Sequence, residues 1–295
     1  MSDIIDLDEL KRAYPVSSAV CFDTVYEAID SANNKQSLFD DPSSQRTDRK
    51  DWSGSSDWKE MEKIVRTGWV EGRASISSGL DTLYRSNSVS ISSGRDADYD
   101  VAGAYPDVPL AISGELEHMV NTGDEIDCKP IIRLVINVGA NWTVDSRQLM
   151  NRGAAVAALV DELESGGSSC EIHAVWTPKK INGRAQAVYC IGVKRAGEST
   201  SIDDIAFCLG HTAMLRRVMF SAMERHPFAH NHRFYGSGCY GTTVDIDEYR
   251  WPSDCVYLAS ITNNPDPYCT PEGAMTEVRK LYEAQAKAKQ LEVDV

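Results

Sequence analysis

The clearest hydrophobic pattern in the chain lies between residues 131 and 177. Residues 131–136 (IIRLVI) are apolar apart from Arg133 and rich in β-branched side chains, which is typical of a strand buried on both faces. Apolar residues recur at helical spacing over residues 147–165, and the pair Gly166-Gly167 predicts the end of that helix. Residues 171–177 predict a second strand. This order indicates a βαβ unit and therefore a parallel sheet.

The alternation of strand and helix continues to the end of the chain. The patterns predict strands at 187–194, 255–261 and 291–295, and helices at 205–225 and 272–289. We therefore predict an α/β domain over residues 125–295, with a mostly parallel central sheet flanked by helices, of the von Willebrand A-like or Rossmann-like type.

Residues 1–124 show weaker patterns, and we interpret them as an N-terminal extension of helices and long loops packed on the core. Apolar spacing predicts helices at 18–32 and 57–72, the second with Asp57 as its N-cap. Residues 33–57 are polar and aperiodic, which predicts a long surface loop or a partly disordered segment. The pattern over 74–93 is ambiguous between helix and strand.

Composition narrows the class of protein. The chain has 295 residues and a formal net charge of −14, which disfavours non-specific binding to a nucleic-acid backbone. Its eight cysteines are dispersed without a C-x-x-C pair, as expected of buried thiols in a reducing compartment. No apolar run approaches the ~20 residues of a membrane span, and the acidic N-terminus does not resemble a secretory signal. We expect an intracellular protein without membrane contact.

The turn after the first predicted strand is the first place to look for a site, because parallel sheets bind ligands at the carboxyl ends of their strands. The sequence there is INVGAN, and a later strand ends in ASITNNPDP. With the Ala-rich helix that ends in Gly-Gly, this pattern resembles a von Willebrand factor A-type domain over about residues 128–295. The resemblance places Asn137, Gly139 and Asn141 in the family's D-x-S-x-S metal turn, and Asn263 where an aspartate would stand.

These substitutions change the chemistry that the resemblance implies. A hard divalent cation requires carboxylate and hydroxyl oxygens, and asparagine and glycine remove a charge and a ligand. Asp145, Ser146 and Asp266 are nearby in sequence and could partly compensate as magnesium ligands. The alternative is that the asparagines only shape a tight turn. We interpret this turn as a degenerate metal site that serves recognition.

Several segments also resemble an uncharacterised family of tailed-bacteriophage proteins. They are RTGWVEG, YDVAGAYPDVPLAISGELEHMV, MNRGAAVAALVDELESGG and LGHTAMLRRVMFSAMERHP. This resemblance implies a viral source and no particular activity.

A second candidate site is a group of zinc-ligand residue types: His226, His230, His232 and Cys239. Imidazole and thiolate bind zinc, and H-x-x-x-H places two imidazoles one turn apart in a helix. Pro227 opposes a helix there, and no fourth ligand stands at a standard spacing. A structured loop with hydrogen-bonded histidines is the alternative.

A third candidate is a local basic face formed by Lys179, Lys180 and Arg184. Beside aromatic residues such as Trp176 and Tyr189, these charges could bind single-stranded nucleic acid. The simpler interpretation is a solvated surface. The sequence contains neither a G-x-S-x-G elbow nor a phosphate-binding G-x-x-x-x-G-K-[ST] loop.

The function we predict is a non-enzymatic phage protein that binds a viral or host protein through an α/β scaffold with a degenerate cation site. It would act in the cytoplasm of the infected cell or in the virion. No cofactor is expected, with zinc or magnesium as the alternatives, and a homo-oligomer is possible. The rival hypotheses are a metal-dependent enzyme acting on nucleic acid or a phosphoester through the histidine group, and a single-strand-binding protein.

Overall fold

The fold is built on a five-stranded sheet. The computed structural model describes residues 18–47, 50–86, 98–101, 105–106, 108–121, 131–140, 144–178, 187–225, 242–245, 251, 254–261 and 266–289. Its strands are β1 (Ser18–Phe22), β2 (Asp98–Asp100), β3 (Tyr105–Pro106), β4 (Met119–Asn121), β5 (Ile131–Asn137), β6 (Ser169–Trp176), β7 (Ala187–Lys194) and β8 (Cys255–Leu258). The central sheet has the order β1-β7-β6-β5-β8.

The helices of the described chain are α1 (Val25–Asn34), α2 (Lys50–Ser53), α3 (Trp58–Thr67), α4 (Val70–Arg85), α5 (Val108–Ser113), α6 (Ser146–Ser165), α7 (Ile202–Ile205), α8 (Phe220–Glu224) and α9 (Pro271–Ala288). Two π-helical segments (Ala206–Gly210 and Met214–Met219) lie between α7 and α8, and the 3₁₀ turns are Ser43–Gln45 and Asp266–Cys269. Within the described ranges, no helix is both long and apolar enough to cross a membrane.

The predicted fold class is confirmed. β5 pairs in parallel with β6 and with β8, β1 pairs in parallel with β7, and the β6–β7 pair is antiparallel. The predicted βαβ unit is β5, α6 and β6, with Ile131 opposite Ser169 and Asn137 opposite Val175. Because β5, β6 and β8 run in the same direction, their carboxyl ends meet at one edge of the sheet.

Helix α6 is the centre of the helical layer. It begins with a capping box between Asp145 and Gln148, and 13 of its 20 residues are buried. Small side chains allow neighbouring helices to approach it closely. A Cβ atom on Gly79 of α4 would lie 2.9 Å from the Ala154 Cβ. The alanines of α6 therefore follow from its burial on most sides.

Helix α9 closes the open edge of the sheet at β8. Thr270 caps its N-terminus, and the Gln285 side chain pairs with the backbone of β8. Gln285 Oε1 accepts from the Tyr257 N–H at 2.8 Å, and Gln285 Nε2 donates to the Tyr257 carbonyl at 2.7 Å. One side chain thus satisfies the edge groups that a further strand would have paired.

One local prediction is wrong because tertiary contacts decide the structure, one ambiguous stretch is resolved, and one predicted helix is refined. Residues 18–32 were predicted as one helix, but Ser18–Phe22 is a strand paired with β7, so the N-terminal region supplies an edge of the central sheet. The ambiguous stretch 74–93 is helical as far as Arg85. The predicted helix 205–225 contains both π-helical segments and is interrupted at His211. The strand predicted at 291–295 lies outside the described residues.

The polar stretch 33–57 was predicted as a surface loop, and most of its described residues are exposed or half-buried, but three of its serines are buried. Ser44, Ser53 and Ser55 are buried around the guanidinium of Arg217, which is itself fully buried. Arg217 makes five hydrogen bonds of 2.7–3.0 Å to this stretch, one for each N–H that it carries. The buried Glu224 carboxylate also accepts from the Ser44 N–H and hydroxyl. We call this set of contacts the Arg217 anchor.

The described residues also form a second, smaller sheet. It has the order β2-β4-β3 with antiparallel pairing, and α5 lies between β3 and β4 in the chain. Several apolar side chains of this unit are exposed, including Val108 at 58%, Ile112 at 82% and Leu116 at 80%.

Candidate functional site

A network of polar side chains lies where β5, β6 and β8 end. Its members are mostly buried, come from five separate parts of the chain and are joined by hydrogen bonds: Asn137, Arg152, Thr177, Thr243, Asp245, Tyr257 and Ser260. We call this group the carboxyl-edge network. It occupies the place where an α/β sheet most often holds a ligand.

Asn137 is the centre of the network. Its side chain is fully buried, and its Nδ2 lies 2.9 Å from both Asp245 Oδ1 and the Tyr257 hydroxyl. Its Oδ1 accepts from the Gly139 N–H at 2.9 Å. A Cβ atom on Gly139 would lie 2.5 Å from the Thr243 Cβ, so this glycine is required by the close approach of the 242–245 segment. Asn137 thus both shapes the turn and binds the neighbouring segment.

Asp245 carries the negative charge of the network, and the protein surrounds it with donors. Its Oδ1 accepts from Asn137 Nδ2, from the Tyr257 hydroxyl at 2.8 Å and from the Ser260 N–H at 2.7 Å. Its Oδ2 accepts from the Ser260 hydroxyl at 2.9 Å. Four hydrogen bonds occupy most of the acceptor sites of this carboxylate, which leaves it little capacity to act as a metal ligand.

Arg152 supplies the positive charge. It projects from α6 and is fully buried. Its Nη1 donates to the carbonyl of Asn137 at 3.0 Å and to the carbonyl of Ala259 at 3.3 Å, so it links the ends of β5 and β8. Its Nε and Nη2 have no hydrogen-bond partner within the described structure. Burial lowers the pKa of this guanidinium, while the nearby Tyr268, Asp245 and Tyr257 oppose that shift.

The turn does not fit a magnesium site in its described residues. The Asn137 oxygen that would face a cation already accepts an N–H, and Gly139 offers no side-chain ligand. Asp145 caps α6 by accepting from the Arg147 N–H at 3.0 Å, and the Ser146 hydroxyl donates to Asp145 at 3.3 Å. These two residues, predicted as compensating ligands, are therefore part of a helix cap.

The other predicted site residues are separated from this network or fall outside the described chain. Asp266 is exposed at the start of a 3₁₀ turn. No group of three or more His, Cys, Asp or Glu side chains placed to hold a metal ion occurs among the residues that the structure describes. The predicted residues that lie outside them are Asn141, Lys179, Lys180, Arg184, His226, His230, His232, Cys239 and Asn263.

Sequence analysis did not identify Arg152 or Asp245 as site residues. A signal for Arg152 was available, because it stands three residues after Leu149 and four before Val156, on the apolar side of its helix. A charged residue on such a face is either paired or functional. No comparable signal marks Asp245 or Ser260, because only the fold brings them beside Asn137.

Comparison with known proteins assigns the chain to a family but not to an activity. The family model for a domain of unknown function, DUF7192, matches residues 12–286, and the chain belongs to this family. No curated protein and no solved structure matches the chain.

Proposed function

We propose that this DUF7192 protein is a non-enzymatic protein of bacteriophage infection that binds a protein partner, either a viral protein during assembly or a host factor. The resemblance of the segments quoted above to tailed-bacteriophage proteins supports the viral source. The von Willebrand A-like scaffold, with asparagines in its metal turn, supports recognition over catalysis. The cytoplasm of the infected cell, or the virion, is the location that this role implies.

The observation that carries the proposal is a concentration of exposed apolar side chains within residues 101–116 of the small sheet unit. Val101, Val108, Ile112 and Leu116 are 65%, 58%, 82% and 80% exposed, and they are four of the eight exposed large hydrophobic side chains in the described structure. Val108 and Ile112 lie one turn apart on α5. Single exposed apolar residues are ordinary, but a concentration of them marks an interaction site.

The charge around these side chains indicates what kind of partner fits. Asp100, Glu115 and Glu117 are exposed and adjoin Val101 and Leu116 in sequence, and residues 96–128 contain nine acidic residues and no lysine or arginine. We call the four apolar and three acidic residues the docking face. A partner that presents apolar side chains among lysines and arginines would match it in both respects.

The carboxyl-edge network supports a binding role in a different way. Its only described carboxylate, Asp245, is held by four hydrogen bonds, and its asparagine offers an amide where a metal turn offers an acid. These contacts favour a rigid scaffold over a site for acid–base chemistry.

The test compares retention of partners from phage-infected cells by the wild type and by two variants. Ile112→Glu places a charge in the docking face, whereas Val70→Glu changes a 70% exposed residue of α4 outside that face and serves as the control. We expect one phage or host protein to be retained stoichiometrically by the wild type and Val70→Glu, and at least about tenfold less by Ile112→Glu. Equal retention by all three proteins would contradict the proposed face.

A second measurement addresses the partner's identity. Sedimentation velocity of the purified wild type should show a monomer if the docking face binds a protein other than a second copy of this chain. A dimer that dissociates in Ile112→Glu would show that the face joins two copies of this chain, and it would replace the proposed partner.

A further inference from the structure

Arg152 offers one complete edge of its guanidinium without a protein partner. In arginine, Nε–H and one N–H of Nη2 point the same way, and their spacing matches the two oxygens of a carboxylate or phosphate. In Arg152 these are the two nitrogens without a partner within the described chain. The third nitrogen, Nη1, is fixed by the carbonyls of Asn137 and Ala259. The free edge is therefore held in a defined orientation.

The energetics make this arrangement unusual for a purely structural arginine. Arginine remains protonated at neutral pH, and a buried charge is costly unless hydrogen bonds compensate for its lost hydration. This cost applies to Arg152, because its side chain is buried and two of its three nitrogens lack partners within the described chain. A ligand with two acceptor oxygens would remove most of that penalty.

The position of Arg152 in the sheet supports a ligand as the missing partner. The chain leaves β5 through α6 for β6 on one side, and β8 lies on the other side of β5. The gap between the carboxyl ends of β5 and β8 is thus the point where the strand order reverses. Open α/β sheets bind ligands at this point, and Nη1 of Arg152 contacts both strand ends there.

The surroundings determine the charge and size of that ligand. Asp245 lies close enough to Arg152 to interact with it electrostatically, so a dianion would meet more repulsion than a monoanion. Full burial of Arg152 restricts the ligand to a small molecule. We propose that Arg152 binds a small monoanionic carboxylate through Nε and Nη2, between the ends of β5 and β8. This site is separate from the docking face and does not depend on a protein partner.

Thermal unfolding of the purified full chain with small anions tests the proposal. Formate and acetate are the carboxylate probes, inorganic phosphate is the dianionic probe, and chloride at matched ionic strength is the reference. We expect either carboxylate, at about ten times its dissociation constant, to raise the Tm of the wild type by about 3 °C relative to chloride. Phosphate should raise the Tm less.

Three variants separate a specific site from a general effect of salt. Arg152→Met should lose the carboxylate shift, and Arg152→Lys, which keeps the charge but not the paired N–H groups, should bind at least about fivefold more weakly. Arg73→Met removes an arginine whose side chain is 50% exposed and should keep the full shift. If Arg152→Met does not fold, Arg152→Lys supplies the same comparison.

Three results would overturn the assignment. They are no carboxylate shift in the wild type, an undiminished shift in the Arg152 variants, or a larger shift with phosphate than with formate and acetate. Loss of the docking partner in Ile112→Glu would leave all of these results unchanged, so the two proposals fail separately.

Discussion

Two fully buried arginines of the described residues stand at opposite extremes of hydrogen bonding. Both Arg152 and Arg217 are 0% exposed, and both come from helical segments that otherwise contribute apolar side chains to the core. Arg217 makes five hydrogen bonds, to serine hydroxyls and backbone carbonyls of the 44–55 stretch. Arg152 makes two, both through Nη1.

This difference separates a structural role from a binding role. The Arg217 anchor is complete, so it holds a polar segment against the helical layer and has no capacity for a ligand. Arg152 is incomplete, it is placed at the sheet edge where ligands bind, and its free edge has the shape of a carboxylate receptor. Burial alone would not have distinguished these two residues, whereas their hydrogen-bond partners do.

The largest expected effect is that of Arg217→Met. The substitution keeps an unbranched side chain but leaves two serine hydroxyls and three carbonyls without their donor, which should cost about 3–5 kcal/mol of unfolding free energy. Urea denaturation measures the loss, and hydrogen exchange should show release of the 44–55 stretch. The control is Arg46→Met, which removes an exposed ion pair with Asp41 and should cost less than about 1 kcal/mol. A loss below about 1 kcal/mol in Arg217→Met would show that the anchor does not hold the fold.

The next largest effect is expected from Asn137→Asp. The new carboxylate would lie beside Asp245 in place of a donor that is 2.9 Å from it, and like-charge repulsion should cost about 2–4 kcal/mol at pH 7. Asn151→Asp, which changes a second buried asparagine, in α6, is the control for burying an acid.

Magnesium makes that variant a test of the degenerate-site hypothesis. Mg²⁺ should restore part of the stability of Asn137→Asp and leave the wild type unchanged in calorimetric titration. Tight stoichiometric Mg²⁺ binding by the wild type, lost on changing Asn137 or Asp145, would contradict the hypothesis.

Arg152→Met should have a smaller effect on stability than Arg217→Met. It breaks two hydrogen bonds but also removes a poorly compensated buried charge, so we expect a cost of about 1 kcal/mol or less in the absence of carboxylates. Urea denaturation in chloride buffer gives the value. A loss of unfolding free energy equal to that of Arg217→Met would show that both arginines have the same structural role.

The smallest expected effect is a loss of stability at acidic pH, confined to the part of the fold around Arg217. Burial lowers the pKa of His211 to about 4, although Glu60 and Glu71 oppose the shift. The unfolded chain binds this proton near pH 6.5, so the stability that His211 provides is complete above pH 6.5 and is lost as the pH falls towards 4. Protonation removes the Nδ1 lone pair that accepts from the Ala213 N–H at 3.0 Å.

Hydrogen-exchange protection factors of Ser53–Ser55 should report this change, because the intervening Gly54 packs against His211. Protection there should decrease between pH 6.5 and 4 in the wild type. His211→Asn keeps an acceptor without titrating and should flatten the profile. An unchanged decrease in that variant would assign the acid sensitivity to another group.

The contrast between the arginines also shows what sequence can and cannot predict. The βαβ unit was predictable because its strands are apolar runs and its helix has a clear spacing and stop. The strand Ser18–Phe22 was not, because five residues of mixed character gain their conformation only from pairing with β7. Burial of the 44–55 serines was equally hidden, since it depends on Arg217, more than 160 residues away.

The candidate site was predicted in part. Asn137 was identified from its place after a parallel strand, which depends on local pattern and a general rule about sheets. Its partners Asp245 and Tyr257, and Ser260 that binds Asp245, come from segments more than 100 residues later, and no local pattern connects them. Arg152 could have been noticed as a charge on an apolar helix face, but only the fold shows that its Nε and Nη2 have no partner among the described residues.

The most direct test of the contrast is a carboxylate titration followed by NMR of the arginine Nε–H groups. The resonances of Arg152 and Arg217 can be assigned by their loss in Arg152→Lys and Arg217→Lys. We predict that acetate shifts the Arg152 Nε–H resonance saturably and leaves that of Arg217, already bonded to the Ser55 hydroxyl, in place. An unmoved Arg152 resonance, or equal movement of both, would contradict the account.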